Sequence, residues 1–333
     1  MTDPAPATQE PALPRVVSLL PSATDILCLL GAADALVGRS HECDEPAAAH
    51  APVLTAARIR ATEPAAIDRE VRQRLPEHGS LYSLDEARLS ALRPDIIITQ
   101  SLCEVCSIDL QTVQRLAASL PGLPEVLDLN PHTVEDILDD VLRIGETIGR
   151  QARARAEVVA LRERLFAAGE CVNPFDDGPV VAFLEWTEPM FCAGHWNVQL
   201  IERAGARHPF NPTQPAPDAG AAAGPQQGER RAGKSVVLPP EILAAARPGA
   251  IVIAPCGVPL AQGLEMARSL SRHAWWSDLP AVKLGKVAVV DGNRYFSRPS
   301  QRIVEAFEWL VGWLQQRPEM IPPGFAWAPL TRA

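Results

Sequence analysis

The chain has 333 residues, of which 47% are hydrophobic, 21% charged and only 5% aromatic, a balance that fits a soluble globular protein and excludes a disordered or collagen-like one. Its formal charge of −9 excludes a general binder of nucleic-acid backbones, which needs clustered Lys and Arg to displace counterions. At roughly 100–200 residues per domain, the length predicts two domains.

Residues 1–14 (MTDPAPATQEPALP) carry no Lys or Arg, and Pro21 and Asp25 break the apolar stretch that follows, so no secretory signal is evident. A disordered tail over 1–13 and a cytoplasmic protein are expected. No segment reaches the roughly 20 apolar residues that a membrane span needs. Apolar runs at Arg15–Leu20, Leu36–Arg39, Asp95–Gln100 and Val126–Leu129 predict strands of a first lobe, residues 14–131. Their apolarity is continuous, the mark of parallel strands covered on both faces.

A helical pattern then runs from Thr133 to about Ala168, with Thr133 as N-cap and Asp136 completing a capping-box-like start. Acidic residues crowd its front and arginines its back, as the helix dipole prefers. One helix over 132–168 would reach about 50 Å and serve as a spine between lobes. Val180–Trp186, Ala250–Ala254 and Val287–Val290 predict the strands of a second lobe, residues 178–318. Within it, residues 209–234 read as a mobile loop, and residues 319–333 read as a C-terminal tail. Arg93-Pro94 and Arg247-Pro248 each stand between a short helix and a strand that leads into a Cys-bearing loop, a weak internal repeat.

In open α/β sheets, ligands bind beyond the carboxyl ends of the strands. That rule gathers Ser22 and Thr24, then His41 and Cys43, then Cys103 and Cys106 from the first lobe. Glu185, Trp186, Cys192, His195, Trp196 and Cys256 come from the second, so five of the seven cysteines fall at strand ends. The odd total favours a reducing compartment over a disulfide framework. Cys103-x-x-Cys106 has the spacing of half a zinc site, which His41 with Cys43, or Cys256 with His195, could complete. The competing readings are a redox CxxC, a Cys256 nucleophile with His195 as base and Glu185 as orienter, and plain packing of small thiols. Trp186 and Trp196 could form a flat wall for a planar ligand, and Tyr295 and Arg298 lie in a later loop at the same end.

Val17 through Asp25, Gly38 through Asp44, Thr99 through Cys106, Leu184-Glu185-Trp186, Gly194-His195-Trp196, Ala254 through Gly257 and Asp291 through Pro299 together carry a resemblance. The chain resembles the cobalamin-binding, substrate-binding-protein family of the helical-backbone metal receptor superfamily, the class III periplasmic-binding-protein type. The resemblance implies two Rossmann-like α/β lobes with mostly parallel sheets, one long backbone helix, and a corrinoid or other metal chelate held between the lobes. It implies no catalysis, and usually a partnership with an ABC importer, although an exported receptor would need a signal. The expected ligand-binding residues are Ser22, Thr24, His41, Glu185, Trp186, His195, Trp196, Tyr295 and Arg298. Cys43, Cys103, Cys106 and Cys256 are candidate metal ligands toward cobalt, iron, zinc or an iron–sulfur cluster. The alternative is a metal- or iron–sulfur-dependent enzyme using the same cleft.

Overall fold

A computed structural model describes residues 12–78, 80–102, 108–173, 178–216 and 230–331. In the first lobe, strands β1 (Val16–Ser18), β2 (Leu36–Arg39), β3 (Thr55–Ala57), β4 (Tyr82–Leu84), β5 (Ile96–Gln100) and β6 (Glu125–Leu129) alternate with helices. These are α1 (Pro21–Leu29), α2 (Pro64–His78), α3 (Glu86–Leu92) and α4 (Leu110–Ser119). Four strands pair in parallel in the order β2-β1-β5-β6, while β3 and β4 form a separate antiparallel pair. Val16, Val17, Ile97 and Ile98 are wholly buried, as strands covered by helices on both faces must be.

The run 132–168, expected as one helix, is two: α5 (Val134–Thr147) and α6 (Gln151–Gly169). Gly149, at φ +74°, lies in the break, a conformation that costs glycine nothing. In a single helix Arg162 would stand about 40 Å from Glu135. Instead its guanidinium is 3.5 Å from Glu135 and 3.9 Å from Asp139, so the pair folds back as an antiparallel hairpin. The start of α5 is as expected, with Thr133 accepting from the Asp136 amide and Asp136 answering to the Thr133 amide.

The hairpin closes tightly at Gly145, where an added Cβ would lie 2.3 Å from that of Ala154. Gly145→Val should therefore destabilise the fold by about 1–3 kcal/mol through overpacking. Urea unfolding followed by circular dichroism checks this, and an unchanged midpoint would mean that the helices can part at no cost.

The second lobe contains β7 (Val181–Thr187), β8 (Met190–Cys192), β9 (Gln214–Pro215), β10 (Arg230–Arg231), β11 (Val236–Val237), β12 (Ala250–Ile253), β13 (Val287–Val290) and β14 (Trp327–Pro329). Its helices are α7 (His195–Arg203), α8 (Pro240–Ala246), α9 (Leu260–Leu270), α10 (Pro280–Lys283) and α11 (Arg302–Leu314). The main sheet runs β11-β8-β7-β12-β13-β14, with β7, β12 and β13 parallel and the other three antiparallel to their neighbours. The expected C-terminal tail is thus in part a sheet member: β14 pairs with β13, and Phe325 is buried. Of the expected mobile loop, 217–229 lies outside the described residues. Its two ends are built in, since buried Thr213 accepts from Arg230 at 2.9 Å.

The Arg-Pro repeat is structural. Arg93 and Arg247, at φ 44° and 48°, both end their helices in the left-handed conformation before a proline starts the approach to the next strand. A single apolar cluster joins the lobes, from Val16 and Ile26 through Val141 of α5 and Leu161 of α6 to Phe183 and Trp309. Each lobe also has its own smaller cluster on the far face of its sheet. No helix among the described residues is long and apolar enough to cross a membrane.

Candidate ligand-binding cleft

The loop after β2 forms one wall of the cleft. Its backbone turns because Ser40 and the His41 amide both bond Thr55 Oγ1, at 3.1 and 3.0 Å. His41 Nδ1 lies 2.6 Å from the same hydroxyl, and the ring stands edge-on to Tyr82, 5.0 Å between centroids. Tyr82 in turn donates to Glu42 at 2.6 Å. His41 is half-buried, burial lowers its pKa against the pull of Glu42, and its Nε2 has no protein partner among the described residues. The imidazole is therefore neutral, fixed at one nitrogen and open at the other.

A cluster of polar contacts joins the lobes at this loop. Arg298 donates to Asp44 at 2.6 Å and lies 3.6 Å from Asp25, while Arg302 donates to Asp25 at 2.9 Å and also pairs with Glu45. Asn293 donates to Asp44 at 3.0 Å. On the other side His132, beyond β6, meets His195 at the start of α7, with ring centroids 5.5 Å apart. Burial pushes the His195 imidazole down to about 4, helped by His132 and Lys234, and its Nδ1 is buried without a partner.

The expected site residues separate into two groups. His41, Trp186, His195 and the exposed Cys256 lie at or just beyond strand ends, and of these Trp186 touches Pro64 and His195 touches His132 across the lobes. The rest are placed in structural roles. Thr24 is wholly buried, bonded to Ser18 at 2.9 Å and to Cys43 at 3.0 Å, and Ser22 is buried in the first turn of α1. Trp196 is buried and donates to the Phe296 carbonyl at 2.7 Å, so it forms no flat wall with Trp186. Tyr295 is buried under Phe325, 4.0 Å between ring centroids. Arg298 is consumed by its carboxylates.

Glu185 braces the loop before α7, accepting from Gly194 N at 3.2 Å, from Asn197 at 2.8 Å and from Ser235. Burial raises its pKa despite these three donors. Its carboxylate does not reach His195, so the Cys256, His195 and Glu185 relay is not assembled. Cys43 and Cys192 are buried, and burial pushes both thiols up to about 11, so both are protonated at neutral pH. Cys103 and Cys106 lie outside the described residues. Among the described residues, no group of three His, Cys, Asp or Glu side chains could hold a metal ion.

His132 and Tyr82 were not anticipated. Asn130-Pro131-His132 directly follows the predicted strand at Val126–Leu129, so extending the strand-end rule by one strand would have found the histidine. Tyr82 belongs to the β3–β4 pair, which has no long apolar run to announce it. A cavity of about 150 Å³ opens between the lobes beside Glu63, Pro64, Thr187, Glu188 and Met266. Sites for drug-sized ligands measure about 300–1,000 Å³, so this cavity by itself is too small for a macrocycle.

The profile of a protein family described as periplasmic binding protein matches residues 16–293. No curated protein matches the sequence significantly. Among solved structures, the chain is similar to the periplasmic heme-binding protein RhuT of Roseiflexus sp. RS-1, at 19% identity and TM-score 0.64, over 92% of this chain and 99% of that one. It is also similar to the periplasmic vitamin B12 binding protein BtuF of Vibrio cholerae, at 17% identity and TM-score 0.61, over 92% and 98%. A third similar structure is an ABC transporter substrate-binding protein of Listeria monocytogenes EGD-e, at 18% identity and TM-score 0.63, over 92% and 100%. At these identities the likenesses establish the two-lobed fold, and the profile establishes the lineage: this chain belongs to the periplasmic binding protein family.

Proposed function

We propose that the cleft binds a planar metal chelate of the corrinoid or haem kind, without doing chemistry on it. The observation that carries this reading is His41: neutral, half-buried, fixed to Thr55 at Nδ1 and without a protein partner at Nε2. A neutral imidazole held at one nitrogen is suited to give the other to an axial position of a bound metal. Support also comes from the family and from relatives whose names state heme or vitamin B12. The enzyme alternative is not favoured, because the one candidate nucleophile, Cys256, has no assembled base and orienter beside it. Delivery of the chelate to an ABC importer is proposed on the same family ground.

Titration with haemin and with aquacobalamin, followed by the chelate absorption bands and by tryptophan fluorescence, tests the reading. A saturable band shift is expected for one of the two, and His41→Ala should weaken it about tenfold or more, the loss of roughly 1.4 kcal/mol. No spectral change with either probe at tens of micromolar would sink the proposal.

A further inference from the structure

Helix α6 buries one face, Ala154, Val158, Leu161 and Ala168, and that face belongs to the apolar cluster shared by the lobes. The solvent side of such a helix is ordinarily polar. On α6 it carries Ala152, Ala156, Val159 and Phe166 in the open, with Val159 55% and Phe166 70% exposed. Ala152, Val159 and Phe166 recur at seven-residue intervals, the spacing of a seam between two helices.

The charges of the helix indicate what covers this face. Arg153 pairs with Glu157 at 3.6 Å, Arg162 with Glu135 at 3.5 Å and Arg164 with Glu308 at 2.6 Å. Arg155 and Glu163 are left over, one of each sign, both exposed and without an ion pair among the described residues. The residues three and four places to either side of each are uncharged, so neither has a partner at helical spacing, and about 12 Å of rise keeps the two from meeting each other. Their positions are symmetric about Val159, each four residues away, and so are those of Ala152 and Phe166, each seven away. A two-fold axis beside Val159, relating two antiparallel copies of α6, therefore sets Arg155 against the partner's Glu163 twice over and lays each Phe166 on the partner's small Ala152. We infer that the protein self-associates through this face of α6 as an antiparallel, two-fold symmetric helix pair. The evenly placed charges and the large and small apolar residues make the face complementary to itself, a symmetry that an unrelated partner would not require. One helix from each copy makes a small interface, so the dimer is weak, with a Kd on the order of ten micromolar.

Sedimentation velocity of the full-length protein, from about 1 to 200 µM, tests the pairing and should show a monomer–dimer equilibrium within that range. Arg155→Glu and Glu163→Arg each set like charges against one another at both ends of the pair, and each should weaken dimerisation about tenfold or more. The two substitutions together restore opposite charges, and the double variant should return to within about threefold of the parent. Both positions are exposed, so all three variants should melt within about 2 °C of the parent, and the rescue separates lost pairing from misfolding. Phe166→Ser should weaken the dimer as much as either reversal. A protein that stays monomeric throughout the range overturns the inference. A dimer that neither reversal weakens lies on another surface and overturns it too, as does a double variant no stronger than the single ones.

Discussion

Replacing Asp25 by Ala should cost about 3–5 kcal/mol of folding stability, the range for breaking a buried ion pair by removing one partner. Asp25 is 1% exposed and stands between Arg302 Nε at 2.9 Å and Arg298 Nη1 at 3.6 Å, with Ser300 Oγ donating at 3.2 Å. Burial raises the carboxyl's pKa while the two guanidiniums oppose that rise. Without it, two guanidiniums that are themselves nearly buried keep Asp44 and Glu45 as carboxylate partners, and Arg298 keeps Asn293 Oδ1, so the lower part of the range is the better expectation. Arg162→Ala is the contrast: its pairs with Glu135 and Asp139 involve side chains 40–61% exposed, and such pairs contribute about 1 kcal/mol or less. Denaturant unfolding of the two variants side by side checks the difference. A loss for Asp25→Ala no larger than for Arg162→Ala would show that the buried pairs contribute no more than exposed ones.

Protonation of His208 should cost the protein stability between about pH 6.5 and 4. Burial pushes the imidazoles of His208 and His195 from 6.5 down to about 4. His208 is 2% exposed, with Nδ1 3.0 Å from the Val181 carbonyl and Nε2 buried without a partner, so protonation there would bury an uncompensated charge. In this window the unfolded chain takes up protons that the folded chain refuses. The stability these groups contribute is thus fully present above 6.5 and lost as the pH falls toward 4. For His208 the loss is about 3 kcal/mol; for the partly exposed His195 it is discounted by solvent screening. Asp140 acts in the opposite sense, since burial pushes its carboxyl up to about 6, and its contribution rises as the pH falls through that value. The buried carboxyls of Asp25 and Glu185, also raised by burial, act in the same sense as Asp140, so the difference between parent and variant isolates the share of His208. Between about pH 7 and pH 4 the urea midpoint of His208→Gln should fall by less, or rise by more, than that of the parent; parallel profiles would contradict the assignment.

The parallel strands were legible because each is a continuous apolar run: Leu36–Arg39 and Val287–Val290 lie where the pattern puts them, and the others differ by a residue or two. The antiparallel members β8, β11 and β14 were not, being two or three residues long and held by their neighbours more than by a pattern of their own. The break at Gly149 escaped notice because α5 and α6 each bury one face, and the apolar period passes across the turn without interruption. At the site, residue type indicated which chemistry was available, but not which way each side chain points. Thr24, Cys43 and Trp196 sit at strand ends as expected, yet all three turn inward to hydrogen-bond the protein itself. His41 also lies at a strand end, and one hydroxyl, Thr55, holds its ring in place.

The apolar cluster shared between the lobes also bears on the order in which the protein is synthesised. Asp25 and the first helix emerge early, but Arg298, Arg302 and the helix that covers the common core come near the end of the chain. Domains generally fold as they leave the ribosome, at about 5–20 residues per second. The amino-terminal half would therefore wait about 7 seconds or longer with a buried-type carboxylate and an open apolar face exposed to the cell. During synthesis it is a natural client for chaperones, and its folding becomes complete only when the last helix arrives.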